Sequence, residues 1–241
     1  NDDHTASPLV YTLSPESPLF TFDMFFGTGT ELLLEKIPTI HAAFAESVRP
    51  HVAYAIHCEA IGQDPTHDDG FDGTFLDMIR PMAESGVPLL IKSGGPDKDF
   101  QQFADLAEVE EIFETYPNVI GLLLGETFWD YIDSDDNTTI RDQHLQWYKR
   151  SFLLATKHGR LVIWGNGNDE HFVWDRFLGE ENNANPWMSP DEFEAIAPNL
   201  VIAPKNNIPF GHFHAESTVM GAWLAGRAQN WGVWSEGWAW G

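Results

Sequence analysis

The chain has 241 residues, 43% of them hydrophobic, which suits one large core, is short for two, and excludes a disordered chain. Thirteen Lys and Arg stand against 37 Asp and Glu, a formal net charge of −24, so the surface repels nucleic acid and anionic membranes. No apolar run reaches the roughly 18–20 residues of a membrane span, and the single Cys58 excludes an internal disulfide framework.

Residues 1–18 are polar and proline-rich without a helical or strand period, and read as an irregular lead-in. Asn1-Asp2-Asp3-His4 has neither the basic nor the apolar region of a signal peptide, as in a secreted protein whose leader has already been removed. The acidic balance fits a halophilic protein, whose self-repulsion salt screens, or an ordinary acidic extracellular enzyme. Both are compatible with secretion.

From Leu19 to Gly241 short apolar runs alternate with amphipathic stretches. The runs predict strands over Leu19–Phe26, His51–His57, Val87–Lys92, Val119–Gly125, Arg160–Gly165, Leu200–Pro204 and Gly232–Glu236. Helices are predicted between them over Glu31–Glu46, Gly73–Ser85, Leu106–Thr115, Asp142–His158, Pro190–Ile196 and Ala215–Asn230. Gly86 and Gly159 sit where helix C-cap glycines belong, and Ser189-Pro190-Asp191-Glu192 reads as a helix start. Strand and helix in strict alternation imply parallel strands with right-handed crossovers. No GxGxxG follows the first strand, which disfavours a dinucleotide fold. The expectation is a (β/α)8-type TIM barrel, one domain over 19–241; an eighth strand is not visible, so the barrel is either incomplete at its last strand or closed by the irregular N-terminal segment.

In such a barrel the polar residues at carboxyl ends of strands face the site. Here they are Asp23, His57, Lys92, Glu126, Trp129, Trp164, Asn166, Asn168, Asp169, Lys205, Glu236 and Trp238. Carboxylates and amides bond to hydroxyls, and flat indoles cover the C–H faces of pyranose rings, so the mixture suits a carbohydrate. In Leu122-Leu123-Leu124-Gly125-Glu126-Thr127-Phe128-Trp129 a carboxylate ends an aliphatic strand and precedes aromatics. Apolar surroundings hold a carboxyl protonated and able to act as an acid; a solvated loop glutamate is the alternative on pattern alone. Glu236 occupies the matching place on the last strand, and a second carboxylate is what glycoside hydrolysis requires. Its alternative is an ion-paired structural glutamate. Glu216 opens a helix, where a carboxylate also favours the dipole, and Asp169 also fits a helix cap. His212-x-His214 follows a loop signature, Pro209-Phe210-Gly211, with no further ligand at diagnostic spacing, so neither a metal nor a cofactor is expected.

Four segments together resemble the catalytic barrel of glycoside hydrolase family 98, endo-β-galactosidases acting on blood-group glycans. They are Ser47-Val48-Arg49-Pro50-His51-Val52; Tyr116-Pro117-Asn118-Val119-Ile120-Gly121 leading to Glu126 and Phe128-Trp129; Lys157-His158-Gly159 with Trp164-Gly165-Asn166; and Glu216-Ser217 through Gly221-Ala222-Trp223-Leu224 to Trp231-Gly232 and Glu236. The resemblance implies an inverting endo-glycosidase without cofactor. Glu126 matches the family's acid, Glu236 its acid at the seventh strand, and Glu216 a recurrent glutamate of the preceding helix. It also implies a further C-terminal segment or domain carrying one member of the pair that activates water. Two rival readings of the same residues are a non-catalytic carbohydrate-binding barrel and a metal-dependent TIM-barrel hydrolase using His212 and His214.

Overall fold

A computed structural model describes residues 7–24, 30–58, 74–93, 104–125, 138–166, 188–206, 215–226 and 229–235. Residues 10–123 form one compact unit; residues 1–9 with 124–241 form a second. Among the described residues strand and helix alternate as far as Trp231, in the (β/α)-barrel class that the sequence pattern predicts. Among the described residues no helix is long and apolar enough to cross a membrane.

In the first unit β1 (Phe20–Met24), β2 (Val52–His57), β3 (Leu89–Ser93) and the first five residues of β4 (Val119–Gly125) lie side by side in chain order. β1 pairs parallel with β2, and β2 with β3. All six residues of β2 and all seven of β4 are buried, as strands covered on both faces must be. Between them run α1 (Thr30–Ala43), α2 (Phe75–Glu84) and α3 (Leu106–Thr115).

The start of α2 is fixed by local chemistry. The Thr74 hydroxyl accepts from Asp77 N, and the Asp77 carboxylate accepts from Thr74 N in return. Phe75, Met78, Ile79, Met82 and Ala83 then form one buried stripe at helical spacing. Asp105 caps α3 by accepting from Ala107 N, and Leu106, Val109, Ile112 and Phe113 are its buried face.

The second unit holds α4 (Thr138–Lys157), β5 (Leu161–Asn166), α5 (Pro190–Ile196), β6 (Leu200–Asn206) and α6 (Ala215–Leu224), then two short strands, β7 (Asn230–Trp231) and β8 (Trp234–Ser235). Ser189 and Glu192 close a capping box at α5, and the Glu192 carboxylate also accepts from Lys149 Nζ of α4 at 2.8 Å. β5 pairs parallel with β6.

Within the predicted last strand, Gly232–Glu236, the described residues form only β8, while β7 lies just before it; both run parallel to β6 in one continuous register, Ile202 opposite Trp231 and Lys205 opposite Trp234. The gap at Gly232 and Val233 has a cause on the neighbouring strand. Ile202 O accepts from Gly232 N, so Ile202 turns its backbone groups toward this strand, and by alternation so does Pro204. Pro204 has no N–H to donate, and the ladder lapses there.

The lead-in is irregular, as expected, but its residues 7–9 are anchored. Ser7 donates through Oγ to Lys157 O at 2.6 Å and through N to Thr156 O at 3.3 Å. Gly159, at φ +62, ends the helix region beneath it. A Cβ there would collide with Pro8 O, so both the backbone conformation and the approach of Pro8 demand glycine. Large apolar side chains are exposed at β1 (Phe20, 58%) and beside β7 (Val233, 56%).

Candidate functional site

Register and pleat decide which strand-end residues of the first unit meet. Phe22 lies opposite Tyr54, Asp23 opposite Ala55, and His57 opposite Lys92. Tyr54 meets His41 of α1 edge-on, with ring centroids 5.8 Å apart, and stacks on Phe22. Phe22 and Tyr54 therefore point to the helix side. Successive residues of a strand alternate faces, so Asp23, Ala55, His57 and Lys92 share the face turned away from α1, at the carboxyl ends of three neighbouring strands.

There the Asp23 carboxylate bridges two donors, one on each oxygen. His57 Nε2 is 2.6 Å from Oδ1, and Lys92 Nζ is 2.6 Å from Oδ2. The side chains are 23%, 3% and 12% exposed for Asp23, His57 and Lys92, so the cluster is largely withdrawn from water. Burial by itself would raise the Asp23 pKa. The His57 hydrogen bond and the Lys92 charge together outweigh burial and hold Asp23 below its ordinary value, as a carboxylate. The bond to that carboxylate requires the proton of a neutral His57 to sit on Nε2. An ammonium and an imidazole pinned to one carboxylate can present polar atoms to a hydroxyl-rich ligand.

One step along β3, the Ser93 hydroxyl accepts from Ala104 N at 2.8 Å and ties the chain leaving β3 to the chain entering α3. Nothing in the sequence marks this bond, since a lone buried serine carries no spacing signal.

Of the residues expected at the site, the structure thus joins Asp23, His57 and Lys92. Trp164, expected to cover a sugar face, is 1% exposed and sets its ring edge-on to Phe152 of α4, with centroids 5.9 Å apart. It is a core residue in this position; an indole after an apolar strand segment fits the helix-facing layer equally well. Asn166 ends β5, Lys205 lies in β6 and Glu216 in the first turn of α6, but their side chains fall outside the description. Glu126, which follows β4 in sequence, Glu236, which follows β8, and Trp129, Asn168, Asp169, Trp238, His212 and His214 all lie outside the described residues.

Comparison with known proteins adds a family and a fold. The model of glycosyl hydrolase family 98 matches residues 10–241. No curated protein matches the sequence. Among solved structures, the catalytic module of a family 98 glycoside hydrolase from Streptococcus pneumoniae, bound to the LewisY pentasaccharide blood group antigen, is similar at TM-score 0.61 and 20% identity. The same module with the H-disaccharide blood group antigen, and in its native form, gives TM-score 0.62 and 20% identity. Each likeness covers 94% of this chain and 39% of the solved one, so the chain spans about two fifths of the length of those modules.

Proposed function

Since the chain belongs to glycosyl hydrolase family 98, we propose that it is the catalytic portion of a secreted glycosidase that cleaves internal linkages of a glycan or polysaccharide with inversion. The family match over residues 10–241 carries this reading. The Asp23–His57–Lys92 cluster, at strand ends where barrel sites are built, supports it.

In the proposed reaction Glu126 protonates the leaving glycosidic oxygen. Glu236, with Glu216 or an acid from a further segment, activates water on the opposite face of the ring. Inversion requires about 6.5–9.5 Å between acid and base carboxyls, the room a water needs. Asp23, His57 and Lys92 bind sugar hydroxyls, joined by Asn166, Asn168, Asp169 and Lys205, while Trp129 and Trp238 cover ring faces. The chemistry rests on carboxylates alone, with no metal or cofactor.

The test is a glycan panel scored for new reducing ends, with chelator present throughout, followed by NMR of the first-formed anomer. Glu126→Gln keeps shape but has no proton to give. It should lose roughly 10²–10⁴-fold in kcat on a natural glycan, and less on an aryl glycoside with a good leaving group. Glu236→Gln should slow both substrates alike. Binding without turnover across the panel would favour the silent carbohydrate-binding reading, and activity abolished by chelator the metal-dependent one. Near-normal activity of Glu126→Gln would remove the acid assignment.

A further inference from the structure

The last helix of the second unit and the short strand after it expose an apolar corner. After Thr218 no residue of α6 is polar, so from Val219 to Leu224 the helix is apolar on every side. It packs on β6 and β7 and buries Val219. Met220, Trp223 and Leu224, one stripe by their i, i+3, i+4 spacing, are exposed instead, Leu224 to 72%. Register adds a second surface beside it. Trp164 lies opposite Ile202, and Ile202 opposite Trp231, so the three side chains share one face of the sheet. That face is the helix side, because Trp164 meets Phe152 of α4. Trp164 and Ile202 are buried there, whereas Trp231 is 52% exposed. Val233, on the same face by alternation, is exposed as well.

From this arrangement we infer that the corner is an interaction surface whose occupant is an apolar-faced helix of the same polypeptide, C-terminal to β8. In a strand–helix repeat each parallel strand is followed by a helix that crosses right-handedly over the sheet. A helix that follows β8 in that sense comes to lie over Trp231, on the flank of α6. Length for such a helix is present in the solved modules, of which this chain spans 39%. Two other occupants fit the corner less well. A second copy brings another net charge of −24, and α6 has no basic group to offset it. A sugar needs hydrogen bonds, and of the five exposed side chains only the two indoles carry a donor. An apolar helix face asks for neither charge nor donor. The inference goes beyond the glycosidase reading and does not depend on it.

The test uses the natural polypeptide at full length, with p-benzoylphenylalanine in place of Trp223 and mass spectrometry of the photo-crosslinked peptides. Mixing ¹⁴N- and ¹⁵N-labelled protein separates links within one molecule from links between two. The expected result is a link within one molecule to a peptide C-terminal to Ser235 that carries apolar residues at helical spacing. A link between copies would make the corner an interface between two chains, and a link to an added glycan would make it a sugar platform. Either overturns the inference, and so does a link confined to residues 1–235 or no link at all. Leu224→Lys supplies a readout without the crosslinker. Burying its ammonium under a docked helix should lower Tm by about 3–8 °C. Leu224→Met, still apolar, should hold Tm within about 2 °C. An unchanged or raised Tm for Leu224→Lys would show that the stripe faces water, and would overturn the inference as well.

Discussion

Replacing Lys92 with methionine keeps the length of the side chain but leaves Asp23 with His57 as its partner among the described residues. The bare attraction of unit charges 2.6 Å apart is about 6 kcal/mol at an effective dielectric near 20. Withdrawing an ammonium and a carboxylate from water takes back several kcal/mol. What remains is of the order of one charge-assisted hydrogen bond, about 2–3 kcal/mol. Both side chains are less than a quarter exposed, so solvent screening should not erase it. In a chain of this length that is a fall in Tm of about 4–12 °C.

Asp23→Asn removes the opposite charge and should cost a similar amount. The double variant buries no unpaired charge, and should be more stable than the summed losses predict by about 1–3 kcal/mol. Denaturant titrations of the four proteins at pH 7 measure this coupling. Acid provides a second readout. Asp23 is held below its ordinary value near 3.8, so its contribution is complete above the unfolded carboxylate value and is lost as pH falls through the lower folded one. The gap between wild type and Lys92→Met should therefore persist from neutrality to about pH 4 and narrow below it. Losses that add within about 0.5 kcal/mol, or a gap that widens in acid, would refute the coupling.

Gly159→Ala should destabilise by more than the roughly 1–2 kcal/mol of a left-handed alanine, because its methyl also meets Pro8 O; a thermal melt reads the loss. Glu192→Gln removes the charge shared by Ser189 N and Lys149 Nζ and should cost about 1–2 kcal/mol at pH 7. Glu192 is held below its ordinary value because its hydrogen bonds and the Lys149 charge outweigh burial. The difference in denaturation free energy should thus fade as pH drops through that lowered value. At a net charge of −24, Tm should rise from low to molar NaCl as screening relieves repulsion. A flat or falling curve would remove the halophilic reading.

Elements governed by local chemistry were legible in the sequence. β4 over Val119–Gly125, α3 over Leu106–Thr115 and α5 over Pro190–Ile196 fall where the apolar runs and caps place them. Errors arose where a distant or conformational cause intervened. The helix predicted over Ala215–Asn230 stops at Leu224, because Gly226 turns to φ +69 and its N–H bonds back to Trp223 O. The last strand starts late, at Trp234, with β7 before it across an interruption that lies opposite Pro204, a residue of another strand. The site shows the same division. Asp23, His57 and Lys92 each stood out as polar groups ending apolar strands, but their union depends on inter-strand register, which no single segment encodes. Trp164 carried the same signal and lies in the core, because alternation sends every second strand residue to the helices.

The clasp between Ser7 and the end of α4 also orders events during synthesis. Its two halves are 150 residues apart, and at about 5–20 residues per second a ribosome takes roughly 8–30 s to make the second half after the first. Throughout that interval residues 7–9 have no Lys157 or Gly159 to meet, and before it ends the whole of β1 to β4 has been made. Residues 7–9, made before β1, are therefore among the last to dock. A bulky fusion placed just before Ser7 would disturb the closing of the second unit rather than the assembly of the first.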